Sequence, residues 1–163
     1  MAELDGKVVV IVGASRGLGR AMALGFAREK AAVVLAARSL KDLEQVATEC
    51  EAVGSRSATV VATDVCQEEQ VANLVSKTIR DHGRLDVLVA NAATSAPNLS
   101  MHPMSRLESY SYDVAERLLE VNTLGVWLAM KHALPVMSNG GSFIAVGAGF
   151  GGFQRAGAGF LGV

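Results

Sequence analysis

Cysteine is scarce in this 163-residue chain: Cys50 and Cys66 stand alone, with no second close pair. That spacing supports neither a disulfide framework nor a zinc site, and two buried or half-buried thiols are expected. Aromatic residues make up only 5% of the chain, and neither sign of charge dominates. Fifteen Lys and Arg stand against sixteen Asp and Glu, a formal charge of −1. Such a balance provides no basic field for nucleic acid or for an anionic membrane, so neither is expected as a partner. Long apolar runs are also missing, since Val8–Val12 and Ala31–Ala37 are far too short to span a bilayer. The opening residues, Met1-Ala2-Glu3-Leu4-Asp5-Gly6-Lys7, are polar and acidic, unlike the basic start of a signal peptide. His82, His102 and His132 share no ligand spacing, and surface or loop roles are expected for all three. A soluble, cytoplasmic chain forming one domain over residues 1–163 is the expectation.

What is present is an alternation. Half the residues are apolar and 19% are charged, and short β-branched runs alternate with longer helical periodicities. That pattern predicts an α/β fold with a parallel sheet built from βαβ units. Strands are expected at Val8–Val12, Val33–Ala37, Ala58–Ala62, Leu85–Ala90 and Ser142–Val146. Between them, helical spacing puts Leu18, Ala21, Met22, Gly25 and Phe26 on one face of a first helix. A second helix starts at a cap near Ser39 and buries Leu40, Leu43, Val46, Cys50 and Val53, stopping at Gly54. A third turns Val71, Leu74, Val75 and Ile79 inward and ends at Gly83. A polar connection with Pro97 and Pro103 leads to a long helix over about Ser109–Met137, with Pro135 near its end. From Asn139 to Gly162 there are nine glycines in 24 residues, and no further helical stripe develops. A doubly wound sheet continues with a helix over its last strand, so the domain is expected to be incomplete at its C-terminal end.

Gly13-Ala14-Ser15-Arg16-Gly17-Leu18-Gly19 lies between the first strand and the first helix. Glycines there let the backbone turn tightly and approach a pyrophosphate, whose charge sits against free N–H groups at the helix start. The spacing is G-x-x-x-G-x-G rather than G-x-G-x-x-G. This turn resembles that of the short-chain dehydrogenase/reductase family, and further matches follow in order along the whole chain. Asp64-Val65 after the third strand resembles the pair that contacts the adenine in that family. Ala90-Asn91-Ala92-Ala93 is similar to its Asn-Asn-Ala-Gly motif, and Asn122 matches its helix asparagine, which helps hold a water beside a catalytic lysine. Structural readings stand beside these: Asp64 is equally suited to capping the third helix, and Asn91 to satisfying backbone groups at a strand end.

The resemblance implies a Rossmann-type doubly wound parallel sheet of five strands, its later strands and helices missing, and an oxidoreductase of alcohol or carbonyl groups. Sites that prefer NAD place an acid about 20 residues beyond the glycines, on the ribose 2′-hydroxyl. Ala37 stands there instead, followed by Arg38 and Ser39, with Arg16 inside the turn. In the family, cations at these positions accompany a 2′-phosphate, so NADP(H) is the expected cofactor. Gly13, Ser15, Arg16, Gly17, Leu18, Gly19, Arg38, Ser39, Asp64, Val65, Asn91, Ala92 and Ala93 are the expected binding residues.

The family's proton donor is a tyrosine with a lysine four residues later, and a serine 13 residues before it. Aligning Phe143-Ile144-Ala145-Val146-Gly147 places Ala148 at the serine and Leu161 at the tyrosine, while the lysine falls past the last residue. Ser142 is about 20 Å from Ala148 along an extended strand and no substitute. Gln154 and Arg155 are not general acids at neutral pH, and Tyr110 and Tyr112 match no catalytic position. Asn122 is the one remnant of the catalytic set. The chain as written is therefore expected to be inactive, with a small alcohol or carbonyl substrate only in a longer parent. The alternatives are a truncated oxidoreductase and a catalytically silent nucleotide-binding or interaction protein, either with a possible homo-oligomer.

Overall fold

A computed structural model describes residues 3–95, 110–137 and 140–147. Five strands form one parallel sheet: β1 (Val8–Val12), β2 (Ala32–Ala37), β3 (Ser57–Ala62), β4 (Val87–Ala90) and β5 (Ser142–Ala145). Their order is β3-β2-β1-β4-β5, with every neighbouring pair parallel. The chain thus moves outward from β1 on one side, crosses back over it, and builds β4 and β5 on the other. That reversal beside β1 is the switch point of a doubly wound sheet, the architecture the sequence predicts.

Both faces of the central strands are dry, which explains why they read as unbroken apolar runs. Val8, Val10 and Val12 turn to one core with Val34, Leu88, Val71, Leu74 and Leu128. Val9 and Ile11 turn to the other, with Val33, Leu35, Leu43, Val46 and Cys50. Helices α1 (Gly17–Arg28) and α2 (Leu40–Ala52) cover the second face; α3 (Glu68–His82) and α5 (Gly125–Ala133) cover the first.

The predicted inner face of α1 needs correction. Gly19, Ala23 and Ala27 are its buried residues, whereas Leu18, Ala21 and Gly25 are exposed and Met22 and Phe26 only half-buried. Small side chains let α1 lie close against the sheet, and a stripe chosen by side-chain size misses a contact made by alanine and glycine. In α2 the middle of the predicted stripe is buried and its ends, Leu40 and Val53, are exposed. Helix α3 buries Val71, Leu74 and Val75 and ends at Gly83 in the left-handed region, as its sequence predicts, but its fourth buried residue is Thr78, and Ile79 is only half-buried.

The long helix is composite. Within the described residues it consists of α4 (Tyr112–Leu119), a π-helical turn over Glu120–Leu124, α5, and a final 3-10 turn at Leu134–Val136. Pro135 lies in that last turn, where its missing N–H costs no regular helical bond. Cys50 is buried and Cys66 half-buried, the environments the sequence predicts. No helix among the described residues is long and apolar enough to cross a membrane.

Candidate functional site

Strand register brings the site together. Val12 lies level with Ala36 of β2 and Ala90 of β4, so the segments following β1, β2 and β4 leave the sheet along one edge. Thr63, after β3, joins them through its amide on the Ala37 carbonyl at 2.9 Å. A cleft of about 710 Å³ opens there, at the carboxyl ends of the strands where such sheets bind ligands.

The glycine turn forms its floor. Gly13 has φ +83, and a Cβ on it would come within 2.8 Å of the Ala92 backbone. Gly19 is held by contact instead: its Cβ would stand 2.0 Å from the Gly13 carbonyl oxygen. The Asn91 side-chain amide donates to that same carbonyl at 3.1 Å. The turn after β1 is thereby pinned to the loop after β4, with α1 pressed against both. Arg16 sits at the N-cap of α1 without a side-chain cap bond, and no acid occupies the first turn. The first amides of α1 are left for an acceptor at the cleft, an arrangement that favours an anion.

Eleven of the sequence-predicted residues line this cleft: Gly13, Ser15, Arg16, Gly17, Arg38, Ser39, Asp64, Val65, Asn91, Ala92 and Ala93. Leu18 does not; it is 57% exposed. Gly19 acts from beneath the turn. Asn122 also stands behind the wall, inside the π-helical turn. Its amide oxygen accepts from the Thr94 amide at 2.8 Å, and its nitrogen donates to the Thr94 carbonyl at 3.0 Å. Both ends of the side chain therefore fix the loop after β4, and Thr94 lines the cleft. Ala148 and Leu161, which the resemblance aligns with the family's serine and tyrosine, lie outside the described residues.

Asp64 does not cap α3, whose N-cap is Gln67. Its carboxylate closes a turn by accepting from the Cys66 amide at 3.0 Å, and its own amide donates to the Gln70 side chain at 2.8 Å. Ser39 is the N-cap of α2, accepting from the Asp42 amide at 3.4 Å. Arg16 and Arg38 are exposed and have no carboxylate partner among the described residues. Asp42, also exposed, lines the cleft beside Arg38.

Other wall residues escaped the sequence reading. Val12, Ala37, Asp42, Thr63 and Thr94 extend the predicted motifs by one to three residues, but Arg117 and Val121 come from α4 and the π-helical turn. Arg117 Nη1 lies 3.2 Å from Cys66 Sγ and 3.2 Å from Glu120 Oε2, and Nη2 lies 3.9 Å from Asp64 Oδ2. The bond to Glu120 raises its already high pKa. Burial likewise pushes the Cys66 thiol up. Nothing in a helical stripe flags Arg117; only the packing of α4 over the β3–α3 loop does.

A doubly wound sheet with a glycine turn at its switch point defines a nucleotide-binding class of α/β domain. The short chain dehydrogenase family model matches residues 7–159, and the chain belongs to that family. An uncharacterised oxidoreductase of Methylorubrum extorquens is 35% identical over 146 residues, covering 90% of this chain and 56% of its own. Among solved structures, NAD+-bound xylitol dehydrogenase superposes with a TM-score of 0.89 at 26% identity, covering 98% of this chain and 60% of its own. An alcohol dehydrogenase from the archaeon Thermococcus sibiricus, complexed with 5-hydroxy-NADP, gives a TM-score of 0.85 at 33% identity, covering 95% and 64%. The chain spans about half the length of the curated relatives it matches.

Proposed function

We propose that this chain is the NADP(H)-binding part of an oxidoreductase acting on alcohol or carbonyl groups. The observation that carries the reading is the uncapped start of α1 beside Gly13 and Gly19, with Arg16 and Arg38 at the same cleft and without a carboxylate partner among the described residues. A pyrophosphate suits the α1 amides, because Gly17 lines the cleft at the start of that helix and has no Cβ to stand in the open space before them. Arg38 and Arg16 then address a 2′-phosphate, and Asp64 and Val65 the adenosine side beyond it. When bound, the nicotinamide supplies hydride transfer. The residues of this chain bind and orient it: Asn91 fixes the turn under the phosphates, and Asn122 holds Thr94 at the opposite end of the cleft.

Solved relatives carry either cofactor, NAD+ in the xylitol dehydrogenase and an NADP derivative in the archaeal alcohol dehydrogenase. Preference in this chain therefore rests on its own charges. A charge-assisted bond from Arg38 to the 2′-phosphate contributes roughly 1.5–3 kcal/mol, or about 10- to 100-fold. Asp42 works against it, and Asp42→Asn is expected to widen the preference. Fluorescence titration with NADPH and NADH tests the reading: NADPH should bind tighter, and Arg38→Asp should reverse the order. Equal affinities in the unaltered chain would remove the 2′-phosphate from the account.

Turnover is a separate matter. With Ala148 and Leu161 in place of a hydroxyl and a phenol, the 163-residue chain offers no tuned proton donor for a developing alkoxide. No cofactor-dependent reduction of simple ketones, aldehydes or quinones is expected above background. Steady-state turnover by the unaltered chain would defeat this and direct attention to Tyr110, Tyr112 or His102. A silent nucleotide-binding protein is the second reading, favoured by the same two replacements.

A further inference from the structure

Arg117 stands out because no motif accounts for it, yet it forms part of the cleft wall with Asp64, Val65 and Val121. Its position within the site follows from topology. The glycine turn leaves β1, Arg38 follows β2, and Asp64 follows β3, so the cleft runs from the phosphate floor outward to β3. Asp64 and Val65 therefore mark the β3 end of the cleft, where Val65 also packs on Gly125 of α5. Arg117 reaches that end from the opposite wall, since α4 packs over the β3–α3 loop.

The chemistry of this end is an apolar slot with one planar cation. Val65 and Val121 are both 7% exposed and give flat aliphatic surface. The Arg117 side chain is 43% exposed, so its guanidinium is only partly committed to Glu120, Cys66 and Asp64. Its Asp64 contact, at 3.9 Å, is a loose ion pair rather than a hydrogen bond. A planar, weakly hydrated cation above an aliphatic slot is suited to stack on an aromatic ring. We propose that Arg117 is a cofactor-binding residue whose guanidinium covers one face of the adenine, while its pairing with Asp64 aligns that carboxylate along the ring edge. This rests on the dinucleotide-binding reading above.

A purely structural role is the competing account, in which Arg117 only ties α4 to the β3–α3 loop. Its pairs are part-buried, at 43% exposure for Arg117 and 27% for Asp64, and loose or local, so their loss should leave the fold nearly as stable. Stacking, by contrast, should register in binding as roughly 5- to 30-fold. Because NADPH and NADH carry the same adenine, the loss should be the same for both.

The experiment titrates the 163-residue chain, Arg117→Met and Arg117→Lys with NADPH and with NADH, and melts each protein without ligand. Arg117→Met keeps the aliphatic stem and removes the planar cation. It should weaken both cofactors by the same factor, within about 5- to 30-fold, with an unchanged unliganded melt. Arg117→Lys keeps the charge and the ion pairs but not the plane, and should lose part of the affinity for both. It also carries the test if Arg117→Met fails to fold. Unchanged affinities in both variants overturn the inference. A loss confined to NADPH overturns it differently, by assigning the guanidinium to the 2′-phosphate. A lowered melt with affinity lost only in proportion establishes the structural account. Failure of the unaltered chain to bind either cofactor sinks the dinucleotide reading itself, and this inference with it.

Discussion

At the scale of single residues, the chain separates chemistry from support by placing them at opposite ends of the sheet. The cleft residues gather at the carboxyl ends of β1 to β4. At the other end lies Asp86, just before β4, with its side chain 11% exposed. It accepts from the Val8 amide at 2.9 Å, Lys7 Nζ at 3.3 Å and Arg84 Nε at 2.7 Å. Burial pushes the carboxyl up, but these bonds, Arg84 foremost, outweigh it and hold it below its usual range. Stability from Asp86 is therefore fully present above about pH 4 and drains away as the pH falls through the lowered value. Asp86→Ala should cost about 2–3 kcal/mol in urea unfolding at pH 7, since charged hydrogen bonds are lost and the Val8 amide is left without its acceptor. The gap to the unaltered chain should narrow as both are measured at lower pH. A gap that stays constant below pH 3 would show that the charge of Asp86 is not the source.

At the scale of elements, what was legible depended on how each contact is encoded. Strands buried on both faces write themselves as apolar runs, so β1 and β2 could be placed to within a residue. The glycine turn was legible because its constraints fall on residue type: Gly13 and Gly19 allow no Cβ. Arg38 and Ser39 followed from counting along the chain. Contacts made by small residues or by packing between distant elements left no such trace. The buried face of α1 is Gly19, Ala23 and Ala27, where side-chain size pointed to Leu18, Met22 and Phe26. The π-helical turn around Asn122 was hidden inside one long periodic stretch, and its function, two bonds to the Thr94 backbone, is set across 28 residues. Arg117 was invisible for the same reason. The α1 correction has a direct test. Ala23 is fully buried, so Ala23→Leu overpacks the helix–sheet contact and should cost about 1–3 kcal/mol. Leu18→Ala, at an exposed position, should change stability by no more than about 0.5 kcal/mol. Chemical denaturation of the two variants decides it, and a larger loss from Leu18→Ala would restore the stripe read from side-chain size.

At the scale of the molecule, the sheet is covered unequally across its width. Near β1 and β2 every strand residue from Val8 to Ala36 in the sheet is buried, but β5 has Ser142, Ile144 and Ala145 exposed, with Ile144 at 42%. The composite helix leaves a stripe of large apolar groups in solvent: Leu124 at 53%, Trp127 at 53% and Leu134 at 51%, flanked by Leu119, Met130 and Val136. The spacing of Leu124, Trp127 and Leu134 keeps them on one side of the helix. A contiguous apolar stripe of this kind marks an interaction surface, and β5 is the last strand of the sheet among the described residues, an edge that another chain can extend. The 163-residue polypeptide is therefore expected to self-associate through this region, with a melting temperature that rises with concentration. Trp127 is the one tryptophan of the chain, and its emission should shift to the blue as concentration increases and the stripe is buried. Trp127→Glu should abolish the shift and give a monomer on size exclusion while leaving the two cores intact, because the side chain lies outside both of them. A clean monomer of the unaltered chain, melting cooperatively above about 60 °C at every concentration, would mean that the exposed stripe and edge are stable in water as they stand.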